Sequence, residues 1–418
     1  MLVGAKLDNY LIISTNYALL SYPIFARKLK TQMKKALFAL SLGTFALGIT
    51  EYVMMAILSE VASSLSISIP QAGHLISAYA LGVAVGAPLL IVGYRFKPKS
   101  VLLFLALVMF AGAILSVLAP NYWLFLVARF ISGLPHGAYF GVASIVAVHL
   151  APEDKKGKAV STMIAGMTVA NLMGVPVSSW LCSTWSWRFP FLITSICALL
   201  VLCSIWRWVP NMDRLPVTGF KGQFRFLSTS APWLILTATL LGNGGVFCWY
   251  SYISPLLSQE SGFALTQVPM LMIAAGAGMV LGNILSGVLS DRYSAYRVAP
   301  ATQLLAVVGL ILIFFLADYG WLSVVLMVVV AGCLFAVSGP EQFLILRHAP
   351  GGEMLGGACV QMAFNLGNAL GAFVGGLPIS FGCTPRYTAL AGIPFCLLGF
   401  VCLMLLYRKS TKTALSHS

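Results

Sequence analysis

The stretch Gly48-Ile49-Thr50-Glu51-Tyr52 decides how this chain is read. It lies inside a long apolar run, roughly residues 36–62, built otherwise of Ala, Leu, Phe, Val, Met and Gly. At the rise of an α-helix Glu51 sits about 22 Å along that run, inside a hydrocarbon layer ~30 Å thick. An ionised side chain there costs several kcal/mol unless it faces a partner or a wet cavity. Glu51 is therefore either a functional carboxylate or a neutral acid hydrogen-bonded between helices.

Composition supports a membrane setting. Of 418 residues, 59% are hydrophobic and 9% charged, against about 25% charged in soluble domains. The formal net charge of +14 would suit nucleic acid, but the positions of the charges exclude that reading. Basic residues gather at Arg27–Lys35, Arg95–Lys99, Lys155–Lys158, Arg207–Arg225, Arg292–Arg297, Arg347 and Arg408–Lys412. They occupy every second loop and leave the alternate loops nearly bare, the positive-inside pattern, with both termini cytoplasmic. The nine cysteines are scattered through apolar runs with no C-x-x-C pair, and the five histidines lie far apart. No disulfide framework, metal site or cofactor is implied.

Apolar periods predict an all-α polytopic membrane protein with twelve transmembrane helices. They run roughly over 36–62, 72–93, 100–119, 122–150, 159–181, 187–209, 232–257, 267–290, 297–317, 320–346, 354–380 and 386–407. Residues 1–35 read as an N-terminal extension, with Met33 at a natural start, and 408–418 as a cytoplasmic tail. The polar segment 210–231 is a cytoplasmic linker between two six-helix halves, 36–209 and 232–407. An internal offset of 197 residues backs the division: Arg95 matches Arg292 at span ends, and Asn171 matches Asn368 within spans. Arg188 and Arg386, each alone at the outer side of its half, follow at nearly the same offset. Two parallel six-helix halves are a transporter architecture with its site at the interface of the halves.

The candidate chemistry is sparse. Counting helical rise from the outer surface, Arg129 lies ~10 Å down, Glu51 ~16 Å and His136 ~21 Å. Arg129 and His136, seven apart, share nearly one helix face. A carboxylate bracketed in depth by Arg129 and His136 suits proton coupling, because a nearby cation and burial push its protonation in opposite senses. Arg129 equally reads as a tie between helices, and His136 as a kink residue bonded to backbone. Asn171, Asn243, Gln361, Asn365 and Asn368 either glue helices or touch solute. Trp249, Tyr250 and Tyr252 either stack a ring-shaped substrate or belong to an interfacial belt. Glu341, after Pro340, lines an inner vestibule or sits at the interface. Dense glycine in the fifth and eleventh spans fits close backbone approach. No G-x-x-x-x-G-K-[ST] loop is present, so uphill transport needs an ion gradient or a partner. No nucleophile–base pair argues for an enzyme.

From Met33 onward the chain resembles the major facilitator superfamily, in particular the twelve-span drug–proton antiporters and their arabinose-efflux-permease-like branch. The resemblance rests on residues Gly48–Val53, Gln71–Pro88, Arg129 with Gly133, His136 and Gly137, Ala170–Pro176, Trp187-Arg188, Ser251–Pro255 and Ala363–Gly371. It implies alternating access and export of a small solute against proton entry in a bacterial inner membrane. The partners would be the lipid bilayer, protons and a small-molecule substrate, with the protein a monomer. It also implies a cytoplasmic gate motif G-x-x-x-D-R, complete in the second half with Gly287, Asp291 and Arg292. In the first half Tyr94-Arg95 and Leu90 replace the Asp-Arg pair and the Gly.

Overall fold

The computed structural model describes residues 23–86, 96–152, 156–213, 224–350 and 353–416. All regular structure in them is helical, and eleven stretches are long and apolar enough to cross a membrane. Of the expected features, residues 1–22, the 87–93 end of the second span with the first-half gate positions Leu90, Tyr94 and Arg95, and 214–223 of the linker lie outside the described residues. The first span is α1 (Pro23–Ala56) and α2 (Leu58–Ser64), and the second is α3 (Ile69–Gly86), which completes twelve. Then come α4 (Pro98–Leu118), α5 (Tyr122–Gly133) with α6 (Pro135–Leu150), and α7 (Lys156–Val169) with α8 (Val175–Thr184). The first half ends with α9 (Phe189–Trp208). The second half holds α10 (Ser230–Tyr250) with α11 (Ile253–Gln259), α12 (Val268–Tyr293) and α13 (Ala295–Leu316). It closes with α14 (Gly320–Arg347), α15 (Glu353–Ser380) and α16 (Tyr387–Ser416).

The interruptions have local causes. Pro135 has no N–H to continue the ladder, so α5 stops at Gly133 and α6 restarts on the proline. Pro176 likewise removes a donor, and the chain before it widens into a π turn, Ala170–Gly174, with the Val175 N–H reaching the Ala170 carbonyl. The ring of Pro255 crowds the carbonyl of Ser251, which is where α10 gives way to α11. No proline accounts for the bend at Ile57, where the hydrogen-bonded ladder continues through Ile57 N–H to Val53 and Val61 N–H to Ile57.

The two halves pack alike. α1 lies on α7 as α10 lies on α15; α4 lies on α9 as α13 lies on α16; α3 lies on α5 as α12 lies on α14. Across the halves, α3 meets α15 and the π turn with α8 meets α12. The glycines of the eleventh span serve the close approach their spacing implies: a Cβ at Gly367 would fall on the Leu240 carbonyl, and one at Gly371 on that of Gly244. The repeat extends to the helix ends. Arg188 donates to the carbonyls of Val117 (3.1 Å) and Ala119 (3.0 Å) at the end of α4. Arg386 pairs with Asp318, just past α13, and with Glu260 at the end of α11. In both halves one cation sits at the C-terminal end of the third span, Arg188 on its carbonyls and Arg386 on the carboxylate of Asp318 beyond it.

Candidate functional site

α1 carries Glu51 to the surface between the halves, where it is 3% exposed. Its Oε1 accepts a hydrogen bond of 3.3 Å from Asn368 Nδ2 of α15, so the carboxyl spans the two halves. Its Oε2 lies 3.8 Å from His136 Nε2 on α6, an electrostatic contact longer than a hydrogen bond. The other ring nitrogen, Nδ1, is 2.8 Å from the Tyr79 hydroxyl of α3. Glu51, His136 and Tyr79 thus form a chain that can hold a proton in two arrangements. With Tyr79 donating to Nδ1, the imidazole proton is on Nε2 and faces the carboxylate. With Nδ1–H donating to Tyr79, Nε2 offers a lone pair to a protonated Glu51.

Arg129, fully buried on α5, touches the site through backbone. Its Nη1 donates to the Thr50 carbonyl at 2.9 Å and its Nε to the Leu75 carbonyl at 3.3 Å. Its guanidinium lies over the Tyr79 ring at 4.5 Å and that of Phe191 at 5.8 Å. It fixes α1 one residue before Glu51, ties α1 to α3, and places a positive charge beside the carboxyl. Of the two readings the sequence left open, the contacts are those of a tie between helices. Tyr79 went unselected because an aromatic in mid-span looks like core. So did Glu60, on α2, whose carboxylate oxygens find no hydrogen-bond partner.

The remaining candidates divide. Asn243, one face with Phe247 and Tyr250 on α10, is 1% exposed and neither amide atom has a partner. Asn171 sits in the π turn, also unpartnered, beside a cavity of about 10 Å³ that Asn283 and Phe335 help line. That is about the room of one water. Asn365 turns its Nδ2 to the Gln361 carbonyl on its own helix at 2.9 Å, and Gln361 is half-buried. Trp249, Tyr250 and Tyr252 are buried in the core, which corrects the interfacial-belt alternative: the break after Tyr250 turns them inward. Tyr250 packs edge-on against Tyr52, 6.3 Å between centroids. Tyr252 donates to the Ala372 carbonyl at 2.6 Å and closes on Gly73 of α3, a tie rather than a free ring. Glu341 is not interfacial as one expectation had it. It is fully buried, with Thr239 donating to its Oε2 at 2.9 Å. Of the expected gate, Asp291 and Arg292 end α12. Arg292 is exposed, its guanidinium 5.2 Å from the Tyr293 ring.

The two ends of the bundle differ. At the α2 and α11 end, Ser254 and Ser59 meet across the halves at 3.4 Å over a layer of buried aromatics. Along the second half of α12, Leu281, Asn283, Ile284, Leu285, Gly287, Val288 and Leu289 are all exposed. Only a narrow strip of that segment, Ser286 with the half-buried Gly282, packs inward, and most of its circumference is open.

Repeated helical halves, with a carboxyl, an imidazole and a guanidinium buried where they meet, define a multi-pass membrane transporter. The chain belongs to the Major Facilitator Superfamily, whose profile matches residues 40–357. It is 43% identical over 380 residues to the putative transporter AraJ of Escherichia coli (strain K12), covering 90% of this chain and 96% of that protein. It is 26% identical over 343 residues to a probable sugar efflux transporter of Helicobacter pylori (strain G27), covering 82% and 88%. Its fold is that of a bacterial homolog of the human lysosomal transporter Spinster, whose crystal structure is inward-facing and unoccupied. The TM-score is 0.73 at 18% identity, over 91% of this chain and 98% of that one.

Proposed function

We propose that this protein exports a small solute – a sugar, a nucleoside or a drug-like compound – by proton antiport through alternating access. The observation that carries the reading is the Glu51–Asn368 hydrogen bond between the halves. An ionised carboxylate accepts that bond with charge assistance, and a protonated one accepts it only as a weaker neutral bond. Proton uptake at Glu51 thereby weakens a contact that holds the halves together on this side, which is what coupling to a rocking motion requires. His136 and Tyr79 pass or store the proton, and Arg129 sets the position and field of Glu51. Asn171, Asn243, Asn365 and Asn368, with Trp249 and Tyr250, line the path that opens for the solute. Asp291 and Arg292 act at the gate. The basic loops place both termini in the cytoplasm of a bacterial inner membrane.

The test is proton movement in inverted vesicles acidified inside and challenged with pentoses, nucleosides and lipophilic cations. A solute class that collapses the gradient with wild-type protein and not with Glu51→Gln supports the reading and names the substrate. If no solute does so, or the variant matches wild type, Glu51 is not the coupling group. Counterflow that proceeds only inward would make the protein a symporter instead.

A further inference from the structure

A second acid lies buried in the other half. Glu341 of α14 is 0% exposed, as is no other carboxylate among the described residues with a stated exposure in the core. Its surroundings decide its protonation. Thr239 Oγ1 is 2.9 Å from Glu341 Oε2 and 2.9 Å from the Ile235 carbonyl of its own helix. A hydroxyl has one proton to give. When Thr239 gives it to Ile235, the usual back-bond of a helical threonine, the hydrogen between Thr239 and Glu341 must come from the carboxyl. Among the described residues no Lys, Arg or His makes an ion pair with Glu341. An ionised carboxylate so placed would be an unpaired buried charge.

The site is also unfinished. Glu341 Oε1 has no hydrogen-bond partner, and Asn243, one turn beyond Thr239 on the same face of α10, has none at either amide atom. An acid that served only as glue would have both oxygens satisfied. Directly before it, Gly339 and Pro340 lie inside α14, which runs unbroken through them. Pro340 leaves the Ala336 carbonyl without its helical donor, and a Cβ on Gly339 would meet nothing nearer than Asn283 Oδ1 at 3.8 Å. Glu341 thus follows a Gly-Pro pair at which the helix ladder lacks one bond, its glycine open toward the exposed half of α12.

We propose that Glu341, with Thr239 and Asn243, is a second exchangeable proton-binding site, separate from Glu51, that loads and unloads as α14 bends at Gly339-Pro340. As a carrier in the transport cycle it rests on the antiport reading; as a proton site it does not. Proton binding needs no further reactant: the carboxylate gains H⁺, and Thr239 turns its own hydrogen back to Ile235. The other titratable groups on its own helix and the helices around it are Cys333 and Arg347 on α14, Cys248 and Tyr250 on α10, Asp291, Arg292 and Tyr293 on α12, Tyr296 and Arg297 on α13, and Glu353 and Cys359 on α15. None of them bonds to Glu341 among the contacts described.

The experiment is infrared difference spectroscopy of the full-length protein in lipid vesicles, stepped between acid and alkaline buffer, following the C=O stretch of protonated carboxyls. Wild type should show separate titrating bands from the two buried acids. Glu341→Gln should lose one of them and release one proton fewer per molecule on the alkaline step, while Glu51→Gln loses the other. Thr239→Val should shift the Glu341 band without removing it, which guards against a Gln variant that fails to fold. A Glu341→Gln spectrum identical to wild type would overturn the inference. So would loss of the band on replacing choline chloride by sodium chloride at fixed pH, since the site would then bind a metal cation. A solute panel that moves no protons would remove the antiport reading and leave these bands unchanged, so the two failures are distinguishable.

Discussion

Replacing Arg129 by lysine keeps a positive charge in place and breaks the grip. The guanidinium reaches two carbonyls on different helices, Thr50 at 2.9 Å and Leu75 at 3.3 Å, and lies over the Tyr79 ring. A lysine ammonium is a point donor and cannot hold both carbonyls while stacking on the ring. The lost charge-assisted bond is worth about 1.5–3 kcal/mol and the desolvated cation–π contact about 1–2 kcal/mol. Arg129→Lys should therefore destabilise the protein by about 2.5–5 kcal/mol. Arg129→Leu also strips the charge near Glu51 and leaves both carbonyls without a donor, so it should unfold first. A thiol-reactive fluorophore reads the transition directly, because Cys248, Cys333 and Cys396 are buried and become reactive only on unfolding. The expected order of midpoints is wild type, then Lys, then Leu. A lysine variant melting with wild type, or a leucine variant melting above lysine, would refute the claim that the guanidinium both ties α1 to α3 and balances Glu51.

Other consequences follow from separate parts of the fold. Ser294 joins α12 to α13 at φ 77° and ψ 146°, a conformation that favours glycine; Ser294→Gly should stabilise by about 1 kcal/mol, seen in the same thermal assay. Gly367→Val would drive a side chain into the Leu240 carbonyl and separate α15 from α10, so the yield of monodisperse protein in gel filtration should collapse while a valine at the open Gly287 is tolerated. His348, past the end of α14, is bonded to the Tyr296 hydroxyl at 2.8 Å, and burial followed by the Arg347 charge holds its imidazole below the usual range. The unfolded chain then takes up that proton first, so the contribution to stability is intact above pH ~6.5 and falls as pH drops through it. His348→Gln should flatten the melting temperature between pH 7.5 and 5.5.

The spans were legible because hydrophobic length is a local property, and Glu51 because a carboxylate there stands out against its neighbours. The breaks at Pro135 and Pro255 had visible causes; the bend at Ile57, among Ala56 and Leu58, has none in the sequence. Which residues meet was not readable at all. That Glu51 would reach Asn368, 317 positions away, depends on how α1 and α15 rotate about their axes. Equal depth is a weaker condition than contact, as Arg129 illustrates: it stands near Glu51, yet spends its hydrogen bonds on backbone. The burial of Glu341 was hidden for a related reason, since the hydroxyl that receives it belongs to a helix about a hundred residues earlier.

The repeat sharpens the functional reading when it is used by subtraction. At the offset of 197 residues, the helix ends and glycine contacts recur, but the chemistry does not. Glu51 falls opposite Cys248, Arg129 opposite Leu326, and His136 opposite Cys333; Glu341 in turn falls opposite Ser144. Packing alone would allow both halves to carry the same residues, as Arg188 and Arg386 nearly do. Two carboxylates at matching depth across the interface, however, would repel one another whenever both were ionised. Glu51 and Glu341, at unrelated positions in the two halves, can each change protonation without passing through that state. On the proposed antiport reading, the acids and the histidine that break the repeat are the groups whose protonation changes, Arg129 is the fixed charge near one of them, and the residues that keep the repeat hold the helices in register.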